Sequence, residues 1–431
     1  MLLADVAVLR RPSTKQGPSL SGILGASEPA FEGAIEFDMS GEVARKRCRV
    51  SVASLACACA LAPLTWTPRA GASSMQVATK TVCFEVHNGL SQSRVFGTRF
   101  RAANSSLSRV IVLIHGVSGN RSVWDLKPSY SVARRLARAG YLVIAYDLLT
   151  AGASTYPAGN TVTFEADRDM LAEIVQQIRG TYPLPTAGAA GPCPAGEAPG
   201  IGSHAKVILI GHSGGGALVG GYPGKWGKVT PVDAVVQDGF SNAGTSDEAV
   251  RVIGAKLDAS ANIKAGQLSV FLDDGSTRTS SLISPVTCTE NRRLLLYPGI
   301  RTAPDLDGIA CASSSFETVP YIFFVSIANG AMAGNRSFIA MTDPNIPVLL
   351  AFSDHDAFFP TNPALSTSGT YGCGSAGCQT AEHDYWIANC PCARHVTTWT
   401  ERNSGHVFQW SSTMPDFTNE VVNWLKAVGI R

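Results

Sequence analysis

The chain has 431 residues, of which 45% are hydrophobic and 16% are charged. This composition supports a buried core and excludes a disordered chain, and the length fits one domain with a leader and insertions. The formal net charge is only +2, and the basic residues are scattered apart from one cluster at Arg45–Arg49. A nucleic-acid partner is therefore not expected, since such a partner requires a large basic surface.

The first part of the chain carries the pattern of an export signal. The basic cluster is followed by an apolar run over residues 50–66 and by an Ala-x-Ala site that ends at Ala72. This pattern predicts a signal peptide over 39–72, cleaved after Ala72, and residues 1–38 as a non-native or disordered extension. The alternative is a membrane anchor, but a run of about 17 apolar residues is at the short end for a bilayer. We therefore expect a secreted protein with no stable membrane insertion after cleavage.

Cysteine usage agrees with export. Three of the 11 cysteines lie in the leader, and the remaining even number permits up to four disulfides. Local pairs such as Cys288 with Cys311 and Cys373 with Cys378 are the simplest predictions, although the sequence alone does not fix the connectivity. The alternative is a zinc site, because two cysteine pairs and two histidines lie close together in sequence: Cys373, Cys378, Cys390, Cys392, His383 and His395. Sulfur bridges suit an exported protein better than zinc thiolates.

Strand-like and helix-like segments alternate after the leader. The predicted strands are Thr81–His87, Arg94–Arg101, Arg109–Ile114, Tyr141–Tyr146, Lys206–Ile210, Asp233–Val236, Ile346–Phe352 and His395–Thr400. The predicted helices are Tyr130–Ala139, Phe164–Ile178 and Phe417–Val428, with one more after the glycine-rich turn near residue 213. The first two strands are predicted to form an antiparallel pair. The alternation predicts an α/β fold with a mainly parallel sheet and helices on both faces.

Two segments interrupt this alternation within a domain predicted to span 73–431. After Phe240 the pattern is lost for about a hundred residues, which is too long for a plain loop and predicts a cap or lid at about 241–344. A cysteine-rich insertion is predicted at about 366–393.

The pattern Gly211-x-Ser213-x-Gly215 lies between a buried strand and a predicted helix. Glycines without Cβ let the strand and helix approach closely, so that a strained turn presents the hydroxyl of Ser213 at the carboxyl edge of the sheet. A phosphate-binding loop is the rival interpretation, but no Lys-Ser/Thr pair follows the glycines. The context therefore predicts that Ser213 is a nucleophile.

A serine nucleophile needs a base and a carboxylate that orients the base. The segment after the strand at 346–352 offers two acids, of which Asp356 is favoured over Asp354 because it lies in the loop proper. His406 follows the last strand in a glycine-containing loop and is the predicted base. His212 is too close in sequence to the nucleophile, and His355 belongs to the acid loop.

Acyl transfer also needs two backbone N–H donors aimed at the developing negative charge. One is expected from Gly214, directly after the nucleophile. The other is expected from the loop His115–Gly119, most simply from the amide of Val117.

With Ile114-His-Gly116, Gly211-His-Ser-Gly-Gly215, Asp356 and Gly405-His406 in this order, the chain resembles the α/β-hydrolase superfamily from about Thr81 to Ile430. It is most similar to secreted esterase-like and lipase-like members. The resemblance implies a mostly parallel eight-stranded sheet, a Ser213–Asp356–His406 triad, and Val117 and Gly214 as oxyanion donors. It implies no cofactor and no metal. The loop from Asp147 to Gly152 loosely matches an Asp-x-x-Gly-x-Gly loop of this fold.

The activity implied by the resemblance is hydrolysis of a small-molecule or lipid ester through an acyl-enzyme intermediate. Serine at position 213, where related dehalogenases and epoxide hydrolases carry aspartate, excludes their alkyl-enzyme chemistry. Peptidase, perhydrolase and lyase activities remain open, as does a non-catalytic binding protein of the same fold. The chain departs from the family pattern in its cysteine-rich insertion and in the three glycines after Ser213, which weaken a helix.

Overall fold

A computed structural model describes residues 75–89, 91–117, 119–157, 161–181, 193–194, 205–244, 346–361, 377–389 and 395–431. The proposed signal peptide, the extension before it, and most of both predicted insertions lie outside these residues. The same holds for Cys288, Cys311 and Cys373, so neither predicted disulfide pair can be compared with the structure.

The main sheet has eight strands in the order β1-β2-β6-β3-β7-β8-β9-β10. Their bounds are β1 Val77–Asn88, β2 Ser91–Ala102, β3 Ser106–Ile114, β6 Tyr141–Tyr146, β7 Lys206–His212, β8 Ala234–Asp238, β9 Val348–Ser353 and β10 Val396–Glu401. β2 pairs antiparallel with β1 on one side and with β6 on the other. The remaining strands of the sheet are parallel to their neighbours, in the order β6, β3, β7, β8, β9 and β10. The predicted fold class, a mostly parallel eight-stranded sheet, is confirmed.

Helices cover both faces of the sheet. Their bounds are α1 Val132–Arg138, α2 Phe164–Arg179, α3 Gly214–Trp226, α4 Cys378–Asn389 and α5 Met414–Ala427. Apolar residues of α2, α3 and α4 pack with one set of strand side chains, and those of α1 and α5 pack with the other. Along β3 the alternation is strict, since Val112 faces the first cluster and Ile111 and Leu113 face the second. No helix in the described ranges is long and apolar enough to cross a bilayer.

Two helices differ from their predictions at the start. The helix expected from Tyr130 begins at Val132, because Tyr130–Ser131 (β5) pairs with Asp125–Lys127 (β4) in a short ribbon. The Ser131 hydroxyl then caps α1 by accepting a hydrogen bond from the Arg134 N–H at 3.0 Å. The last helix begins at Met414 rather than Phe417, with Pro415 in its first turn, where a missing N–H costs nothing.

Helix α4 lies in the cysteine-rich insertion and was not predicted. Its sequence lacks a clear apolar period, and of its twelve residues only Cys378, Glu382 and Trp386 are buried. These three are spaced four apart and therefore share one face of the helix. Tertiary burial of that one face, rather than sequence periodicity, accounts for the element.

A disulfide joins Cys83 in β1 to Cys193, 110 residues later. The N–H of Cys193 also donates to the Glu85 carboxylate at 2.7 Å. Cys378 is disulfide-bonded as well. A thiol held in a disulfide cannot be a zinc ligand, so Cys378 is removed from the alternative zinc set.

Candidate active site

The predicted nucleophile lies on a sharp turn at the carboxyl end of β7. Ser213 has φ +54° and ψ −119°, and α3 begins at the next residue. Its N–H donates to the Asp238 carbonyl at the end of β8, at 2.8 Å. A non-glycine residue with positive φ is strained, and the strain persists here because the strand on one side and the helix on the other fix the turn.

The glycines around Ser213 are required by close backbone approach. A Cβ on Gly211 would overlap the carbonyl group of Gly215. A Cβ on Gly215 would lie 2.5 Å from the carbonyl oxygens of Ile114 and His115 at the end of β3. The glycine run that weakens helix propensity therefore allows α3 to pack directly on two strands, and α3 forms over 13 residues.

The structure brings Ser213, His406 and Asp356 into one hydrogen-bonded line. His406 Nε2 lies 3.0 Å from Ser213 Oγ, and His406 Nδ1 lies 2.8 Å from Asp356 Oδ2. The carboxylate can only accept, so Nδ1 carries the proton and Nε2 presents its lone pair to the serine hydroxyl. Asp356 Oδ1 accepts from the N–H groups of Phe358 and Phe359, at 2.7 and 3.1 Å, which fixes the carboxylate plane.

Asp354, the alternative acid, has a different set of contacts. Its Oδ2 accepts from the Asn403 N–H at 3.0 Å and its Oδ1 from the Ser404 N–H at 3.2 Å. Both donors belong to the loop that carries His406. His355, which is not the predicted base, places its Nδ1 2.7 Å from Asp354 Oδ1. Asp354 thus contacts the backbone of the base loop, whereas Asp356 contacts the base itself.

The two predicted backbone donors lie side by side next to the serine. A Cβ built on Gly214 would be 3.2 Å from the Val117 nitrogen, and one built on Gly116 would be 2.9 Å from the Ser213 Cβ. Gly214 is the first residue of α3, so its N–H has no carbonyl partner within the helix. Partial positive charge at a helix N-terminus also favours an anion at this point.

The His115 side chain stabilises the loop after β3, which carries Val117. Its Nε2 accepts the Leu148 N–H at 2.9 Å, and its Nδ1 donates to the Gly116 carbonyl at 2.8 Å. The loop after β6 begins at Asp147. The Asp147 carboxylate pairs with the Arg121 guanidinium and accepts a hydrogen bond from the Ala153 N–H at 3.0 Å. No pattern in the sequence links Arg121 to Asp147, because the two residues are 26 positions apart.

His212 and Asp238 form a buried polar pair next to the triad, and this pairing is not predictable from the sequence. The His212 ring is 4.8 Å from the His406 ring, and His212 Nδ1 is 3.4 Å from Asp238 Oδ2. Burial lowers the pKa of His212, and the neighbouring His406 and His115 lower it further. Burial likewise raises the pKa of Asp238, with Asp356 and Glu401 adding to the rise. These shifts favour the uncharged forms of both groups.

Aromatic side chains surround His406. The ring centroids of Phe358 and Phe359 lie 4.7 and 5.9 Å from that of His406, and Phe240 lies 5.3 Å from Phe359. His406 is buried in these surroundings, and low local polarity strengthens its hydrogen bonds. In the described part of the chain, no group of three or more His, Cys, Asp or Glu side chains is arranged to hold a metal ion.

Comparisons with known proteins show which family the chain matches and which folds it is similar to. A family model described as "Alpha/beta hydrolase family" matches residues 111–421. A putative aryl esterase from Burkholderia cenocepacia has a similar structure, with a TM-score of 0.51, 15% identity, and coverage of 82% of this chain and 100% of that one. A bromoperoxidase from Bacillus anthracis has a TM-score of 0.50, 16% identity, and coverage of 80% and 99%. No curated protein sequence matches the chain. At these identities the structural likeness establishes the fold alone.

Proposed function

Because the chain belongs to the α/β-hydrolase family, we propose that it is a serine hydrolase that cleaves carboxylic esters through an acyl-enzyme intermediate. The observation that carries the proposal is the continuous line of hydrogen bonds from Ser213 through His406 to Asp356. Each member has the chemistry that its neighbour needs: a hydroxyl to be deprotonated, a neutral imidazole to accept the proton, and a carboxylate to orient the imidazole.

In the first half of the reaction, Ser213 Oγ attacks the ester carbonyl carbon as its proton passes to His406 Nε2. The carbonyl oxygen becomes an oxyanion, which accepts hydrogen bonds from the N–H groups of Val117 and Gly214. The tetrahedral intermediate then collapses, the bond to the alcohol oxygen breaks, and that oxygen takes the proton from His406. The acyl group remains on Ser213.

In the second half, a water molecule replaces the alcohol. His406 accepts a proton from the water while the water oxygen attacks the acyl carbon, and the same two N–H groups stabilise the second oxyanion. Collapse releases the carboxylic acid and returns the proton to Ser213. Asp356 stays ionised throughout and offsets the charge of the imidazolium that forms in each half.

The proposal is tested with a fluorophosphonate label and a panel of p-nitrophenyl esters of increasing acyl length. The wild-type protein should take up one label at Ser213 and hydrolyse at least one ester of the panel. Ser213→Ala and His406→Ala should each remove nearly all turnover, and the double variant should be little worse than either single variant. A labelled protein that cleaves peptides but no ester would indicate the peptidase alternative. No label and no turnover would indicate a binding protein of this fold.

We also propose that the protein is exported and that the mature chain begins after Ala72. The Cys83–Cys193 disulfide supports this, because such bonds persist in oxidising compartments. N-terminal sequencing of the protein recovered from the culture medium of an expressing cell tests the cleavage site. Recovery only from the cell interior, with free thiols at Cys83 and Cys193, would refute export.

A further inference from the structure

Glu382 is a fully buried carboxylate that the proposed mechanism does not use. It lies on α4 and accepts six hydrogen bonds, three on each oxygen. Oε1 accepts from Gln237 Nε2, Asn242 Nδ2 and Trp386 Nε1 at 2.7, 2.7 and 2.8 Å. Oε2 accepts from Ser241 Oγ at 3.2 Å, from the Asn242 N–H, and from the Ala243 N–H at 3.1 Å. A buried carboxylate would be costly without such a donor set.

Most of these donors belong to one short segment of the chain. Residues 239–243 leave the end of β8 and lead into the predicted cap, and three of them contribute donors to Glu382. Gln237, on β8 itself, uses the same Nε2 to donate to Glu382 and to the Phe240 carbonyl, at 2.7 and 2.8 Å. The carboxylate therefore holds the backbone of this segment directly at Asn242 and Ala243, and it shares the Gln237 amide with the Phe240 carbonyl.

Residues 239–243 also lie next to the His406 side chain. A Cβ built on Gly239 would lie 3.6 Å from the His406 Cε1 and 3.2 Å from the His212 Cε1. A Cβ built on Gly216 would lie 3.0 Å from the Phe240 Cβ, so Phe240 is close to the start of α3. The Phe240 ring packs on the Phe359 ring, which packs on the His406 ring. A shift of residues 239–243 therefore changes the space available to the imidazole.

We propose that Glu382 is a positioning residue for the reaction, which holds residues 239–243 against the His406 imidazole and so keeps its Nε2 in line with Ser213. The proposal rests on the serine hydrolase function proposed above. Glu382 touches neither the substrate nor the reacting atoms. It acts through the backbone of Asn242 and Ala243 and through Phe240.

The test variant is Glu382→Gln, which keeps the shape of the side chain. Trp386 Nε1 on one oxygen and the Asn242 and Ala243 N–H groups on the other cannot become acceptors. In either orientation the new amide therefore turns an NH₂ group toward a fixed donor. We expect kcat on p-nitrophenyl acetate and the rate of fluorophosphonate labelling to fall together, by roughly 10- to 100-fold, with little change in KM. Glu420→Gln, the same chemical change on α5, is the control and should match the wild type.

Two further measurements separate positioning from a general loss of stability. Asn242→Ala removes one of the six donors and leaves the carboxylate, so it should lower kcat in the same direction by a smaller factor. Proton NMR of the His406 Nδ1–H resonance reports the hydrogen bond to Asp356 without any substrate, and this resonance should shift or broaden in Glu382→Gln.

The outcomes distinguish the two proposals. A Glu382→Gln protein with a lower Tm but with wild-type kcat, labelling rate and His406 resonance would overturn the positioning role. A wild-type protein that neither takes up the label nor cleaves an ester would overturn the proposed function, and the NMR comparison would still decide whether Glu382 controls the geometry of His406.

Discussion

The nucleophile turn and the pair of loops that carry the acid and the base are positioned in different ways. The turn spans residues 211–216 and is held by backbone contacts at distances that only glycine permits. The acid and base loops lie about 50 residues apart in sequence and are joined by hydrogen bonds. These run from the Asn403 and Ser404 N–H groups to Asp354, from the His355 N–H to the Ser404 carbonyl at 3.1 Å, and from Ser353 Oγ to the Gly405 carbonyl at 2.8 Å.

This difference has consequences for how the two regions respond to change. A steric constraint within six residues is either satisfied or violated, so substitution in the turn is all or nothing. A set of hydrogen bonds between two loops can lose one member and keep the others, so substitution there is graded. The same difference explains why the turn is recognisable in the sequence, whereas the hydrogen bonds from Asn403 and Ser404 to Asp354 and from Ser353 to Gly405 are not.

The largest effect is expected from Gly211→Ala. The new Cβ would overlap the Gly215 carbonyl, so the turn cannot form without moving α3 off the sheet. We expect a loss of several kcal/mol in the free energy of unfolding and no labelling at Ser213. Gly180→Ala is the matched control, because Gly180 has φ +67° but open space around it, and should cost about 1–2 kcal/mol with normal activity. A folded, active Gly211→Ala protein would refute the steric account of the turn.

Asp356→Asn should lower kcat by roughly 10⁴-fold if the effect resembles that in serine proteases. The Asn amide can donate to Nδ1, which favours the wrong tautomer of His406 and leaves no lone pair toward Ser213. Steady-state kinetics and circular dichroism on the same preparation would show a lost rate in a folded protein. A larger loss in Asp354→Asn than in Asp356→Asn would reverse the assignment of the acid.

Asp354→Asn should have an intermediate effect. The amide keeps one acceptor oxygen, so one of the two N–H bonds from the base loop is lost while the bond from Ser353 Oγ to Gly405 remains. We expect kcat to fall by roughly 10- to 100-fold, since His406 is displaced rather than chemically altered. An effect as large as that of Gly211→Ala would show that the loops are not held in a graded way.

The smallest effect on activity is expected at Glu401, which is buried at the end of β10. Burial raises its pKa to about 8, although the Thr413 hydroxyl and the Phe417 N–H oppose the rise. The folded state therefore binds more protons than the unfolded state between about pH 4.5 and 8. Stability from this group is complete below that window and falls as the pH rises through it.

Glu401→Gln removes this titration. The variant should exceed the wild type in Tm at pH 9, by the equivalent of at most a few kcal/mol, and lose this advantage at pH 4. Thermal unfolding at the two pH values measures the difference, with Glu420→Gln as a variant that should show no such dependence on pH. An advantage of equal size at both pH values would mean that packing, and not ionisation, is responsible.

Much of the fold could be predicted because its signals are contiguous. β6 was predicted with its observed bounds, and β3 and β7 to within a few residues, because buried parallel strands are continuous apolar runs. The glycine spacing around Ser213 is likewise a local pattern with a steric cause. Helix α4 could not be predicted, because only three of its residues are buried and its apolar character is not periodic.

The sequence by itself determined the mostly parallel sheet, the turn that presents Ser213, and the order in which an acid and a histidine follow it. It favoured Asp356 over Asp354, but the distinct contacts of the two carboxylates exist only once the loops after β9 and β10 lie side by side. The Cys83–Cys193 disulfide and five of the six donors to Glu382 also depend on residues that tertiary folding brings together across 110 and about 140 positions. Hydrophobic periodicity and glycine sterics act between neighbours in the chain, whereas a hydrogen-bond partner is chosen by distance in space.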